Sequence, residues 1–248
     1  VSKRTSEAAR ARIAAQREAL RKQEQRKRIT MIVTIAVVVV IAAAFAVWSM
    51  RQGASEKVAG GLAPVTVQED GTVVMAKSGV TAPVVDVFED FQCPACKQFE
   101  ETSGSTLKNL AAEGKAKVVY HPITIFGQEP TKGNSLRAAS AARCVTDGQQ
   151  WLAYHDKLYK NQPSETVTGF TIDELIKWGK EAGVTATDFD NCVREQRNVA
   201  AHQQFSEKTM STQKLTGTPT VKLNGKDLDT NVAFVPNSLR DAVESAGK

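Results

Sequence analysis

The longest apolar run in the chain is Ile29–Trp48, twenty residues without a charge, a proline or a glycine. Wound as a helix at about 1.5 Å per residue it is about 30 Å long, the thickness of a bilayer's hydrocarbon core. Trp48 falls at its far edge, where an interfacial aromatic is favoured. Downstream the pattern changes. β-rich runs at Thr72–Ala76 and Val84–Phe88, separated by Lys77-Ser78-Gly79, predict two short strands. From Pro94 to about Glu113 the apolar positions Phe99, Leu107, Leu110 and Ala111 predict a helix that Gly114 stops. Ala116–Phe126 predicts a further strand. Between Asn134 and about Leu215 the strand signal fades, and Ser135–Cys144, Gln149–Tyr159, Ile172–Ala182 and Thr187–Met210 all fit helices. Thr171-Ile172-Asp173-Glu174 and Thr185-Ala186-Thr187-Asp188 offer capping side chains at two of the starts. Trp151, Tyr154, Tyr159 and Trp178 fall at helical spacings and read as the core of this block. Strand signal returns at Thr220–Leu223 and Lys226–Leu228, joined by Asn224-Gly225, a strong hairpin turn. Pro236–Ala246 closes the chain as a helix with proline at its start. The predicted order is β, β-(CxxC)-α, β, a helical block, a β-hairpin and α, an α/β arrangement with no internal repeat.

Charge sharpens this division. The formal net charge of the 248 residues is +5. Residues 1–28 hold ten Lys/Arg against three Asp/Glu, a net +7, and the remaining 220 carry 22 against 24, a net −2. Basicity is therefore a property of the tail, and no nucleic-acid role is expected of the body. Arg26-Lys27-Arg28 precede the apolar run, and only Arg51 and Lys57 occur within the next dozen residues after it. By the positive-inside rule the amino terminus is cytoplasmic and the last 200 residues extracytoplasmic. The run exceeds the usual core of a signal peptide, although Ala44-Phe45-Ala46 resembles a cleavage site, so a retained single-pass anchor in the cell membrane is expected over 29–48. Residues 5–28 are good helix formers, and the plain reading is a charged topogenic tail, the alternative a helix lying on anionic lipid. Residues 49–66, with Gly53, Gly60, Gly61 and Pro64, read as a tether.

All four cysteines, Cys93, Cys96, Cys144 and Cys192, lie on the side assigned as extracytoplasmic, where an even count favours disulfides. Cys93-Pro94-Ala95-Cys96 stands between a strand and a helix. There the first cysteine meets the unpaired N–H groups and positive dipole end of the helix, which stabilise a thiolate, the only form that attacks a disulfide. Pro94 fills the first turn, where its missing N–H costs nothing. Cys96, one turn on, can attack a mixed disulfide. That makes Cys93 the nucleophile and Cys96 the resolving thiol. Half of a zinc site is the rival, but no second Cys or His pair stands at ligand spacing, and no metal, nucleotide or other cofactor is implied. An inert disulfide is the other rival. Cys144 and Cys192, 48 residues apart in the helical block, read as a structural disulfide between helices, worth about 4 kcal/mol on the chain-entropy model, with a second electron relay as the alternative. Glu89 and Asp90, just before the motif, are either exposed carboxylates at a strand end or a proton acceptor for the resolving thiol. His121, His155 and His202 are scattered and read as surface or packing residues.

Phe88-Glu-Asp-Phe-Gln-Cys-Pro-Ala-Cys96, followed much later by Gly217-Thr-Pro-Thr-Val221, resembles the DsbA family of thiol–disulfide oxidoreductases, in particular the membrane-anchored DsbA-like proteins of actinobacteria. The likeness covers about 67–248. It implies a thioredoxin fold with a helical insertion at about 131–215, here preceded by one transmembrane helix. It implies that Pro219 is cis and faces the CxxC, and that the backbone of Thr218 pairs with an extended substrate by β-addition. Pro94-Ala95 departs from the Pro-His of the enteric relative, whose histidine helps to stabilise the thiolate. The activity implied is the introduction of disulfides into unfolded exported proteins with reduced cysteines. A VKOR-like or DsbB-like membrane partner would reoxidise the monomeric enzyme. Rival readings are the same chemistry run as a reductase or isomerase, a non-catalytic binding or chaperone module, and a glutathione-transferase relative. Isomerases of this kind carry a dimerisation domain, for which 49–66 is too short, and the transferases lack a CxxC.

Overall fold

A computed structural model describes residues 61–248. The basic tail, the apolar run 29–48 and most of the expected tether lie outside the described residues, among which no helix is long and apolar enough to cross a membrane.

Six strands form one sheet: β1 (Val65–Val67), β2 (Val73–Met75), β3 (Val84–Glu89), β4 (Lys117–Pro122), β5 (Thr220–Leu223) and β6 (Lys226–Asp227), in the order β1-β2-β4-β3-β5-β6. β3 and β4 are parallel, with Val85 opposite Val118 and Val87 opposite Tyr120; every other pair is antiparallel. Alternation decides which side faces the core. Val85 and Val87 of β3 are buried beside Val118 and Tyr120 of β4, while Val84 and Asp86 remain half-exposed. A parallel pair needs a crossover, and helices supply it: α1 (Pro94–Phe99), a π-helical turn over Glu100–Gly104, and α2 (Ser105–Glu113). Gly114 ends α2 in the left-handed region (φ 77°), its N–H bonded to Ala111 at 3.0 Å. The hairpin turn Asn224-Gly225 has positive φ at both residues, as the dipeptide predicts.

The helical block consists of α3 (Thr131–Ala142), α4 (Gly148–Lys160), α5 (Ile172–Glu181), α6 (Phe189–Arg194) and α7 (Val199–Gln213). α8 (Thr230–Ala233) and α9 (Pro236–Ala246) follow the hairpin. Thr171 and Glu174 form a full capping box on α5. Trp151, Tyr154 and Tyr159 are buried and pack against the sheet or within the block, with the Tyr120 and Trp151 rings 5.9 Å apart, whereas Trp178 is only half-buried against Phe170.

Three expectations need correction. The tether ends before residue 66, because Val65–Val67 pairs with β2 as an edge strand. Gly148 explains how the edge is held: a Cβ there would lie 2.0 Å from the Val65 carbonyl oxygen, so only glycine lets α4 approach so closely. The strand expected to reach Phe126 stops at Pro122, and Thr124 turns to meet Ser206 and His202 of α7. The single helix expected over Thr187–Met210 is two, broken at Gln196 (φ 47°). Side chains favour the break: Arg197 folds back onto Asp188 and Glu195, and Asn198 donates to Ser140 and both bridging sulfurs. Asp188 therefore makes no side-chain cap.

Cys144, just beyond α3, is bonded to Cys192 of α6, with Cα atoms 5.9 Å apart. The bond closes a loop of 48 residues that contains all of α4 and α5. Replacing both cysteines by serine should lower unfolding stability by about 4 kcal/mol. Denaturant melts of the two chains check this, and coincident midpoints would refute it.

Candidate active site

The end of β3 and the start of α1 set the site. After Glu89 the chain turns through Asp90, Phe91 and Gln92, and Cys93 N–H closes the turn on Asp90 O at 2.9 Å. Cys93 is the extended N-cap residue of α1 (φ −76°, ψ 118°), and Pro94 opens the helix. Both thiols are free. Cys93 is 5% exposed and Cys96 fully buried, while Pro94 and Ala95 stand exposed between them. The β3–β5 register brings the second half of the site. Phe88 lies opposite Thr220, so the residues just before β5 are carried past the CxxC. The Thr218–Pro219 bond is cis, and the Cys93 thiol donates to Thr218 O at 3.3 Å. The helical block closes the site from the side: Gln162 donates to Phe91 O at 2.8 Å and to Cys93 O at 3.0 Å, and Gln92 donates to Pro163 O at 3.0 Å.

The two thiols are displaced in opposite directions. Hydrogen bonding from the Cys96 thiol, with help from the N–H groups of Cys96 and Ala95, outweighs burial and pulls the Cys93 pKa down to about 6. Burial, the donation to Cys93 and the charge on Cys93 push Cys96 well above the ordinary thiol value. The Asp90 N–H, 3.5 Å from Cys96 Sγ, opposes this only in part.

Glu89 and Asp90 are not exposed; both are fully buried. Asp90 Oδ1 accepts from Gln92 N–H (2.8 Å) and from the Ser135 hydroxyl, and Oδ2 accepts from Ile125 N–H (2.9 Å). Burial nonetheless raises its pKa to about 7 against those bonds. Glu89 Oε1 meets His155 Nε2 at 2.7 Å, and Oε2 is buried with no partner among the described residues. His155 is thus more than a surface or packing residue. It is a fully buried ring between two carboxylates, with Nδ1 3.2 Å from Asp156. Burial alone would lower its pKa, but Glu89, Asp156 and Glu100 together raise it to about 10. His121 stacks on Phe88 and pairs with Asp86 (2.8 Å), on the half-exposed face of the sheet. His202 is buried against Thr124 and Ser206, and burial with the nearby Arg143 lowers it to about 3.

Nitrogen or oxygen atoms of Glu89, Glu100 and His155 lie within 4.8 Å of one another. An imidazolium donating to carboxylates from both ring nitrogens has no lone pair to offer, so this arrangement suits a proton and not a metal ion. His155, Glu100, Ser135 and Gln162 escaped sequence reasoning. A single histidine in an amphipathic helix gives no sign of facing a strand 66 residues away, and Glu100 reads as an ordinary polar position of the helix after the CxxC.

The arrangement is chemically asymmetric: a thiolate on the nearly buried Cys93, at the helix start, is held next to a fully buried thiol and buried carboxyl groups. Residues 78–244 match the thioredoxin family. A probable disulfide bond formation protein D from Bacillus cereus is 27% identical over 61% of this chain and 69% of its own length. Oxidised DsbA of Mycobacterium tuberculosis superposes with a TM-score of 0.59 at 26% identity, over 75% of this chain and 92% of that one. MdbA of Corynebacterium diphtheriae, a thiol-disulfide oxidoreductase, shares the fold with a TM-score of 0.61 at 21% identity, over 76% and 96%.

Titration of the reduced chain by thiolate absorbance should give a transition near pH 6 for Cys93. The linkage has a definite sign. A thiol depressed from 9.0 to about 6 stabilises the folded reduced chain fully above the unfolded value, and that contribution is lost as pH falls through about 6. The stability difference between the reduced chain and Cys93→Ser should therefore shrink between pH 9 and pH 6. A difference that stays constant would contradict the assignment.

Proposed function

The chain belongs to the thioredoxin family and is a DsbA-like protein disulfide oxidoreductase, and from that premise we propose that it works as an oxidase, introducing disulfides into exported proteins through Cys93-Pro94-Ala95-Cys96. The observation that carries this direction is the opposite displacement of the two thiols. A thiolate stabilised on Cys93 favours the reduced pair over the disulfide, so the disulfide is readily given away.

The reaction has two exchanges. A client thiolate attacks Cys93 Sγ, the bond to Cys96 breaks, and the electron pair leaves on Cys96. A second client thiolate then attacks the client sulfur of the mixed disulfide, and Cys93 leaves as the stabilised thiolate. The half-exposed backbone at Thr218 stands beside Cys93 and supports the client strand by β-addition, with Pro219 shaping that edge. Ala95 leaves the motif without an imidazole, and hydrogen bonding from Cys96 and from the N–H groups at the helix start takes over its electrostatic work. Residues 29–48 anchor the domain, with the tail in the cytoplasm and the CxxC outside, where clients are oxidised as they emerge. A VKOR-like or DsbB-like membrane protein restores the disulfide. Cys144–Cys192 serves as a brace within the insertion.

With a reduced, unfolded secretory protein as client, the oxidised chain should speed disulfide formation, Cys93→Ser should abolish it, and Cys96→Ser should accumulate a client mixed disulfide at Cys93. A chain that instead reduces the folded client's disulfides under the same thiol buffer would overturn the oxidase direction.

A further inference from the structure

We propose that Gln162 and Gln92 are positioning residues for the nucleophile: across the CxxC turn they form a reciprocal amide clasp by which the helical block fixes where the Cys93 sulfur points. The proposal rests on Cys93 being the nucleophile, as above, and adds that part of the control of its sulfur lies in the insertion.

The clasp has three bonds. Gln162 Nε2 donates to Phe91 O at 2.8 Å and to Cys93 O at 3.0 Å. In return Gln92 Nε2 donates to Pro163 O, the carbonyl next to Gln162, at 3.0 Å. The partners stand 69 to 71 residues apart in the chain, so only the folded insertion brings them together. Docking the turn against the block would not by itself need an amide. Gln92 is fully buried, and its Oε1 has no partner among the described residues. An orphaned oxygen on an ordered, flexible side chain costs more than an apolar side chain of the same length. Packing alone therefore does not account for glutamine at 92, whereas the bond it aims at Pro163 does.

The carbonyl of Cys93 matters because of the residue that follows. Cys93 is an N-cap in extended backbone (ψ 118°), and its own N–H is fixed to Asp90 O at 2.9 Å. The next peptide has no N–H, since Pro94 supplies its nitrogen, so Cys93 O is the one polar handle on that plane. It accepts from Lys97 N–H of α1 at 3.1 Å and from Gln162 of the insertion. With the peptide planes on both sides held, only the χ1 rotation of Cys93 is left. Its Sγ then lies 3.3 Å from Thr218 O and in hydrogen-bond reach of Cys96. Releasing Gln162 frees ψ of Cys93 and takes the sulfur off the donors that stabilise its thiolate.

A clasp works only if its far side is stiff. Gln162 stands just beyond α4, its N–H bonded to Tyr159 O at 3.2 Å. The loop that follows is tied down by α3. Asn134, fully buried, donates to Val167 O and accepts from Gly169 N–H, both at 2.9 Å. Arg137 donates to Gly169 O at 2.8 Å and to Phe170 O at 3.1 Å. A Cβ on Gly169 would lie 2.4 Å from Pro163 Cβ, so glycine lets the loop close on the residue that takes the Gln92 bond. The same helix holds the start of the turn, where Ser135 donates to Asp90. Both ends of the turn Asp90–Cys93 are thus fastened to the helical block.

Methionine keeps the length and stem of glutamine and removes its donors. In reduced Gln162→Met the Cys93 thiolate transition, near pH 6 in the wild type, should move upward. Iodoacetamide should then alkylate Cys93 about threefold more slowly at pH 5 and at the wild-type rate at pH 9, where the thiol is ionised in both chains. Gln92→Met should shift the transition in the same direction. The double variant should shift it no further than Gln162→Met alone, because one clasp is lost only once. Thermal melts separate docking from positioning: lower stability with the Cys93 transition and the pH 5 rate unchanged in both single variants overturns the clasp. So does a double variant that shifts by the sum of the two. If Gln162→Met does not fold, Gln92→Met decides by the same two readings. Wild-type alkylation that falls on Cys96 and spares Cys93 would instead strike the proposed function.

Discussion

The hydrogen bond from the Cys96 thiol to Cys93 is the interaction on which the rest of the site depends. It exists because one cysteine stands at the N-cap of a helix with a small exposed remnant while the other, one turn later, is sealed inside. A bond from a buried donor to a thiolate is worth more than the same bond in water, since neither group has a good alternative partner. It stabilises charge on Cys93 and keeps the proton on Cys96, and so divides nucleophile from resolving thiol within a single turn. The fold's task is to hold that difference. The β3–β5 register brings Thr218 against Cys93, the insertion clamps the loop through Gln162, and a wall of aromatic rings from β4 and α4 closes the rear.

Sealing Cys96 inside creates the second constraint. Burying a thiol that must ionise requires a base that is also buried, and burying a carboxylate requires a counter-charge. The counter-charge for Glu89 is His155, in contact at 2.7 Å. The π-helical turn directly after α1 follows the same logic: it brings Glu100 towards the cluster while α2 resumes and carries Lys108 to Asp156. Extra-residue turns of this kind recur at functional sites because they re-aim side chains without ending the helix.

Much of this was legible in the chain. Period-two runs fixed β3 and β5, the Asn224-Gly225 turn fixed the hairpin, and the CxxC between strand and helix fixed the nucleophile's address. The four cysteines could be paired because two of them stood one turn apart. What escaped has physical causes. Val65–Val67 is three residues long and is a strand only because β2 and α4 lie beside it. The break at Gln196 is accompanied by Arg197 folding back onto Asp188 and by Asn198 bonding to the bridging sulfurs, contacts that only the tertiary structure provides. Glu89 and Asp90 were visible as candidates, but their burial was not, since a charged pair at a strand end is usually solvated. His155 was beyond reach: its role is set by a strand and a helical turn far away in sequence, and helical periodicity says only which face it shares.

The central claim is that the asymmetry of the two thiols makes the Cys93–Cys96 disulfide easy to give away. Equilibrating the full chain in graded thiol–disulfide buffers, with Cys144 and Cys192 intact, gives the reduction potential of the pair. For a two-electron couple about 30 mV is tenfold in the equilibrium constant, so the reading discriminates well. The account predicts a value between about −120 and −180 mV, among the strong oxidants. A value near thioredoxin's, about −270 mV, would contradict it and turn the same site into a reductase.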